Sequence, residues 1–108
     1  GGYFAGSAKF TSPNNSQTLT SVGGNDIFLA RYTSRGELSW AQRAGGTGND
    51  VINGVSVDPT GRVISTGNFA WDTPALGGVT SFNLGAPGVN LVSQGGFANS
   101  KHFYCWII

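Results

Sequence analysis

Apolar positions in this chain fall in short runs, each stopped by Gly, Pro, Asn or Asp. Residues 26–32, Asp-Ile-Phe-Leu-Ala-Arg-Tyr, are apolar on both faces until Arg31, and they predict a strand. Thr33-Ser34-Arg35-Gly36 predicts a turn in which Gly36 takes a positive φ, and residues 37–43 return as a second strand. In the run that starts at Val51, Val51, Asn53, Val55 and Val57 share one face at period two, with Gly54 and Ser56 opposite. Asp58-Pro59-Thr60-Gly61 has Asp first, Pro fixing φ second and Gly fourth, a strong turn signature. Residues 62–69 return from it. No segment predicts a long helix: residues 70–80 are broken by Pro74 and Gly77-Gly78, and 84–92 by Gly85, Pro87 and Gly88.

The pattern repeats. Gly2-Tyr3-Phe4-Ala5 echoes Gly67-Asn68-Phe69-Ala70 at a spacing of 65, and Phe10 with Gly23-Gly24 echoes Phe82 with Gly95-Gly96 at 72. The seven extra positions fall near Trp71–Gly78. Four strands, 26–32, 37–43, 51–57 and 62–69, then suit one blade of a β-propeller-type array: an all-β fold built of four-stranded antiparallel sheets and incomplete in a single chain. Residues 1–22 read as the end of one repeat, 23–70 as the main blade, and 71–108 as a loop leading into the next. One such sheet cannot cover both its faces, so further repeats or copies of the chain are the expected partners.

Composition sharpens this. The 18 glycines show no three-residue period and cluster where apolar runs stop, which suits turns and excludes collagen. Seven Phe, three Tyr and three Trp provide enough apolar area to argue against disorder. Formal net charge is +1, with the basic residues scattered singly, which speaks against nucleic acid. One cysteine, Cys105, permits no disulfide within the chain. No apolar run approaches the roughly 20 residues of a membrane-spanning helix. The Gly-Gly-Tyr start and the absence of Met suggest a processed or excised product.

The segments Gly23-Gly24-Asn25-Asp26-Ile27-Phe28-Leu29-Ala30-Arg31-Tyr32, Gly36-Glu37-Leu38-Ser39-Trp40-Ala41, Gly45-Gly46-Thr47-Gly48-Asn49-Asp50 and Gly54–Gly67 together resemble the bacterial beta-propeller (SBBP) repeat family. The resemblance covers residues 23–70 closely and 1–22 and 71–96 loosely. It implies a propeller, a secreted or cell-surface location in a bacterium, and no catalytic residues to transfer. After Gly95-Gly96 the sequence departs from the Asp26–Tyr32 pattern.

Candidate chemistry is thin. Gly45-Gly46-Thr47-Gly48-Asn49-Asp50 matches one copy of a calcium-binding Gly-Gly-x-Gly-x-Asp turn, with Gly46, Gly48 and Asp50 as the cation's neighbours. Such sites use consecutive copies, and Gly23-Gly24-Asn25-Asp26 is shortened and distant along the chain. The structural alternative makes Asp50 an acceptor of backbone N–H groups in a glycine turn. His102 and Cys105 lack the further ligands that zinc requires, and residues three apart on a strand face opposite ways. Asp26, Asp50, Asp58 and Asp72 all sit at turns or strand edges. Asp58, Pro59, Gly61 and Gly36 are structural turn residues. Trp40, being in a strand, is expected to pack between blades, whereas Trp71, with Asp72 and Asn68, is the candidate carbohydrate contact. The sequence thus favours a non-catalytic structural or protein-interaction segment. The alternatives are a glycan-binding module, part of a propeller-fold hydrolase, and an open β-solenoid in place of a ring.

Overall fold

The computed structural model describes residues 1–69 in full and the backbone of 79–82, 89–92 and 101–107. These residues form ten strands: β1 (Gly2–Phe4), β2 (Ser7–Ser12), β3 (Asn15–Thr20), β4 (Asp26–Tyr32), β5 (Leu38–Gly46), β6 (Val51–Val57), β7 (Val63–Phe69), β8 (Val79–Phe82), β9 (Val89–Val92) and β10 (Lys101–Ile107). The chain is all-β over its described residues. The four strands expected in the middle are present, β4 to β7, within two or three residues of their expected bounds.

Their partners differ from the expectation of one four-stranded sheet. β4 and β5 lie in a sheet ordered β1-β4-β5-β8-β9, and β6 and β7 in a second ordered β10-β7-β6. The physical reason lies at the glycine link between β5 and β6, where the chain crosses from one sheet to the other. The outer edge of β5 is already taken by β8, through Ala44–Gly46 with Phe82–Thr80. A third sheet is the hairpin β2-β3.

Both central hairpins use one turn design. Gly36 N–H donates to Thr33 O at 2.9 Å, and Gly61 N–H to Asp58 O at 2.9 Å. Gly36 and Gly61 take φ of 80° and 87°, a left-handed conformation that residues with a Cβ rarely adopt. The Thr33 hydroxyl and the Asp58 carboxylate each accept further N–H groups of their own turn.

Packing explains why β4 is apolar on both faces. Ile27 and Leu29 point to the second sheet and form the core with Ala44, Val63 and Phe69, against which Trp40 and Ile52 pack. Burying Ile27 and Leu29 stabilises the fold by about 1.5–3 kcal/mol each. Phe28 points the other way and meets Phe10 of β2 at a centroid distance of 4.9 Å and Phe4 of β1 at 6.4 Å. Polar side chains tie β3 to β5: Asn15 Nδ2 donates to Leu38 O at 2.9 Å, and Ala41 N–H donates to Gln17 Oε1 at 2.5 Å.

One alternation changes in the structure. Ile52 pairs with Gly67 and Gly54 with Thr66, so Asn53 is an inserted bulge residue. The bulge resets the period, and Ile52 rather than Val51 shares a face with Val55 and Val57.

Strand pairing also repeats. In β2-β3, Phe10 pairs with Gln17 and Ser7 with Thr20; in β8-β9, 72 positions on, Phe82 pairs with Val89 and Val79 with Val92. β1 runs antiparallel to β4 with Gly2 opposite Phe28, and β7 runs antiparallel to β10 with Gly67 opposite Phe103. β10 therefore takes the position of β4, seven residues for seven, although its sequence departs from the Asp26–Tyr32 pattern.

Candidate functional site

The two glycine-rich turns, far apart in sequence, meet in space. Asp50 N–H donates to Asn25 O at 2.7 Å, and Asn25 N–H donates to Asn49 Oδ1 at 2.7 Å. The glycines permit this approach. A Cβ at Gly23 would overlap the carbonyl oxygens of Gly46 and Thr47, and one at Gly24 would crowd the Asn49 amide. The segment expected to be too distant to act with residues 45–50 is thus their direct partner.

Asp26 and Asp50 are both fully buried inside this clasp. Asp50 Oδ2 accepts the Gly46 N–H at 2.9 Å. Asp26 Oδ2 accepts the Val22 N–H at 3.1 Å and forms an ion pair with Arg43 Nη1, which also reaches Gly45 O at 3.4 Å. Asp26 Oδ1 has no hydrogen-bond partner among the described residues. The donors turned toward these carboxylates are N–H groups and a guanidinium, which stabilise an anion and repel a cation. Among the described residues no three His, Cys, Asp or Glu side chains come together so that they could hold a metal ion. At Gly46 and Asp50 the described hydrogen bonds are those of a latched turn.

Asp58 lies apart, in the β6-β7 turn. Its carboxyl is held well below the usual carboxylate range, first by the Thr60 hydroxyl, then by the Arg62 N–H and the Arg62 guanidinium, with partial burial opposing. The Thr60 hydroxyl lies 2.7 Å from Asp58 Oδ1, and Arg62 Nε 2.8 Å from Oδ2. Pro59, Gly61 and Gly36 belong to the two turns. Asp26, Asp50 and Asp58 each accept hydrogen bonds from local N–H donors.

Of the candidate carbohydrate contacts, Trp71 and Asp72 lie outside the described residues. Asn68 sits in β7 between Val51 of β6 and His102 of β10, and its buried amide oxygen has no partner among the described residues. The side chains of His102 and Cys105 are likewise outside the description. Trp40 packs on the core.

The described surface carries an apolar concavity that sequence reasoning missed. A groove of about 280 Å³ is lined by Gly1, by β4 from Leu29 to Tyr32, and by Trp40, Val55 and Val57. Tyr32, Val55 and Val57 remain 42%, 44% and 61% exposed there, although Val55 and Val57 share the inward face with Ile52. The signal in the sequence was Asn53, a polar residue breaking an apolar alternation, and it was read as part of the face instead of as a bulge. Among the described residues no helix is long and apolar enough to cross a membrane. No family model, curated protein or solved structure matches this chain.

Proposed function

We propose that this chain is a non-catalytic structural and protein-interaction segment of a repeat protein, whose sheets are completed by neighbouring repeats or by copies of itself. The observation that carries the reading is the exposure of Val55, Val57 and Tyr32 in an open groove between two sheets. Apolar side chains aimed inward but left in water gain from a partner that covers them. The recurrence of the β2-β3 and β1-β4 registers in β8-β9 and β7-β10 supports a repeat, because stacked units of one design bury faces that a single unit leaves open. Successive sheets then stack as propeller blades or as turns of an open solenoid, with the sheet-to-sheet crossing at the Gly45–Asp50 link. An exported bacterial setting follows from the resemblance of residues 23–70 to bacterial propeller repeats.

The test is the mass and symmetry of the native particle in solution, by light scattering and electron microscopy. A discrete oligomer supports a closed ring and a long polymer an open stack. A stable monomer at high micromolar concentration rejects the proposal.

A further inference from the structure

We infer that the groove beside β4 is a strand-acceptor site, taking an extended segment of β7-like sequence that runs antiparallel to β4 and leads into Gly1. The inference rests on the repeat reading above and names the occupant of its open surface.

Register identifies that occupant. β7 pairs with β10 along seven positions, from Phe69↔Lys101 to Val63↔Ile107. Its counterpart β1 pairs with β4 over three, Phe4↔Asp26, Tyr3↔Ile27 and Gly2↔Phe28. Gly2 corresponds to Gly67 and Phe28 to Phe103, so Leu29–Tyr32 correspond to Tyr104–Ile107. In the second repeat those four residues pair with Thr66, Ser65, Ile64 and Val63. Among the described residues, nothing pairs with Leu29–Tyr32 on the β1 side.

The groove lies along that unpaired edge. At its start, a Cβ on Gly1 would meet Val55 Cγ2 at 2.9 Å, Leu29 Cδ2 at 3.0 Å and Ile52 Cδ1 at 3.2 Å. Gly1 thus points between β4 and β6. Residues two apart on a strand share a face, so the position two residues before Gly1 in such a strand also points there. That position corresponds to Ile64, and an isoleucine side chain suits a groove lined by Val55 and Val57. The strand gains ladder hydrogen bonds from the β4 edge and apolar contact from the groove, as in β-strand addition.

The test appends Arg-Val-Ile-Ser, the sequence of residues 62–65, directly ahead of Gly1 in the full chain. Two matched extensions serve as controls: Arg-Pro-Ile-Pro, which cannot complete the ladder, and Arg-Val-Asp-Ser, which puts a carboxylate in the groove. With Arg-Val-Ile-Ser, those amides of Ala30–Tyr32 that do not donate to β5 exchange at least about tenfold more slowly, and the unfolding midpoint rises. Both controls leave exchange near that of the unextended chain. Equal exchange in all three extended chains, or a lower midpoint with Arg-Val-Ile-Ser, overturns the inference. The outcome is separable from the mass measurement. An oligomer whose β4 amides ignore the added strand keeps the interaction reading and loses this site. A monomer whose amides respond keeps the site and loses the interaction reading.

Discussion

Gly45 lies against the buried carboxyl group of Asp26, and a Cβ at Gly45 would come within 2.6 Å of its Oδ2. The carboxylate cannot swing aside, because Arg43 and the Val22 N–H hold the same oxygen. Gly45→Ala therefore forces strand β5 away from β4 where Ala44 is fully buried. Overpacking of this kind costs about 1–3 kcal/mol, and urea unfolding of the variant measures it. Gly6→Ala is a poor control because Gly6 has φ of 72°. Gly54→Ala is a better one, since its nearest neighbour there is the Thr66 hydroxyl at 3.2 Å.

Removing Arg43 leaves Asp26 as an uncompensated charge in the clasp. Arg43→Met retains the apolar stem, so the loss reports the ion pair and the bond to Gly45 O more than packing. Breaking a buried pair typically costs about 3–5 kcal/mol. The lower end applies, because a quarter of the Arg43 side chain stays in solvent. Asp26→Asn in the Arg43→Met background restores much of the loss, since a neutral amide can still accept the Val22 N–H. A double-mutant cycle in denaturant separates this coupling from the single effects. Full additivity of the two substitutions contradicts it.

The strands were legible because their signals are local. Alternation and turn chemistry at Thr33–Gly36 and Asp58–Gly61 fix β4 to β7 with little help from distant contacts, and the turns close as their residues require. Sheet membership was not legible. Whether β5 continues to β6 or passes to another sheet depends on which edge β8 occupies and on the clasp between residues 23–26 and 45–50. Both are contacts between segments separated in sequence. Both halves of the clasp were visible as one motif and its shortened copy, but their meeting was not, because Gly23 and Gly24 matter for the room they leave beside Gly46, Thr47 and Asn49. The groove was hidden by a single bulge at Asn53.

Asp58 makes stability depend on acid pH. Its folded-state pKa is depressed, so its contribution is complete above the unfolded value of about 4 and is lost as pH falls from there toward the folded value. Asp58→Asn keeps an oxygen for the Thr60 and Arg62 N–H groups and loses the charge. The variant is therefore less stable than the parent at pH 7, and the gap narrows steadily below pH 4. Denaturant midpoints of the two proteins between pH 7 and pH 2 check this, the other carboxylates being common to both. A gap that stays constant to pH 2 contradicts it. Carboxyl carbon shifts of Asp58 provide an independent reading, remaining those of the ionised form well below pH 4.

The edge of β5 supplies the last prediction. Between Leu38 and Gln42 this edge is met by side chains of β3 instead of a strand: Gln17 accepts the Ala41 N–H and Asn15 donates to Leu38 O. Ala41 is buried, so Gln17→Ala leaves its N–H without an acceptor, at a cost of about 1–3 kcal/mol. Exposing the edge has a second consequence, since unpaired strand edges template association between chains. The Gln17→Ala, Asn15→Ala double variant should unfold at lower denaturant and form larger particles at equal concentration. Amide exchange at Ala41 and light scattering read the two effects separately. If exchange at Ala41 stays slow in the double variant, the side-chain cap is not what protects this edge. Faster exchange with no change in particle size shows instead that the hairpin still shields the opened edge from other chains.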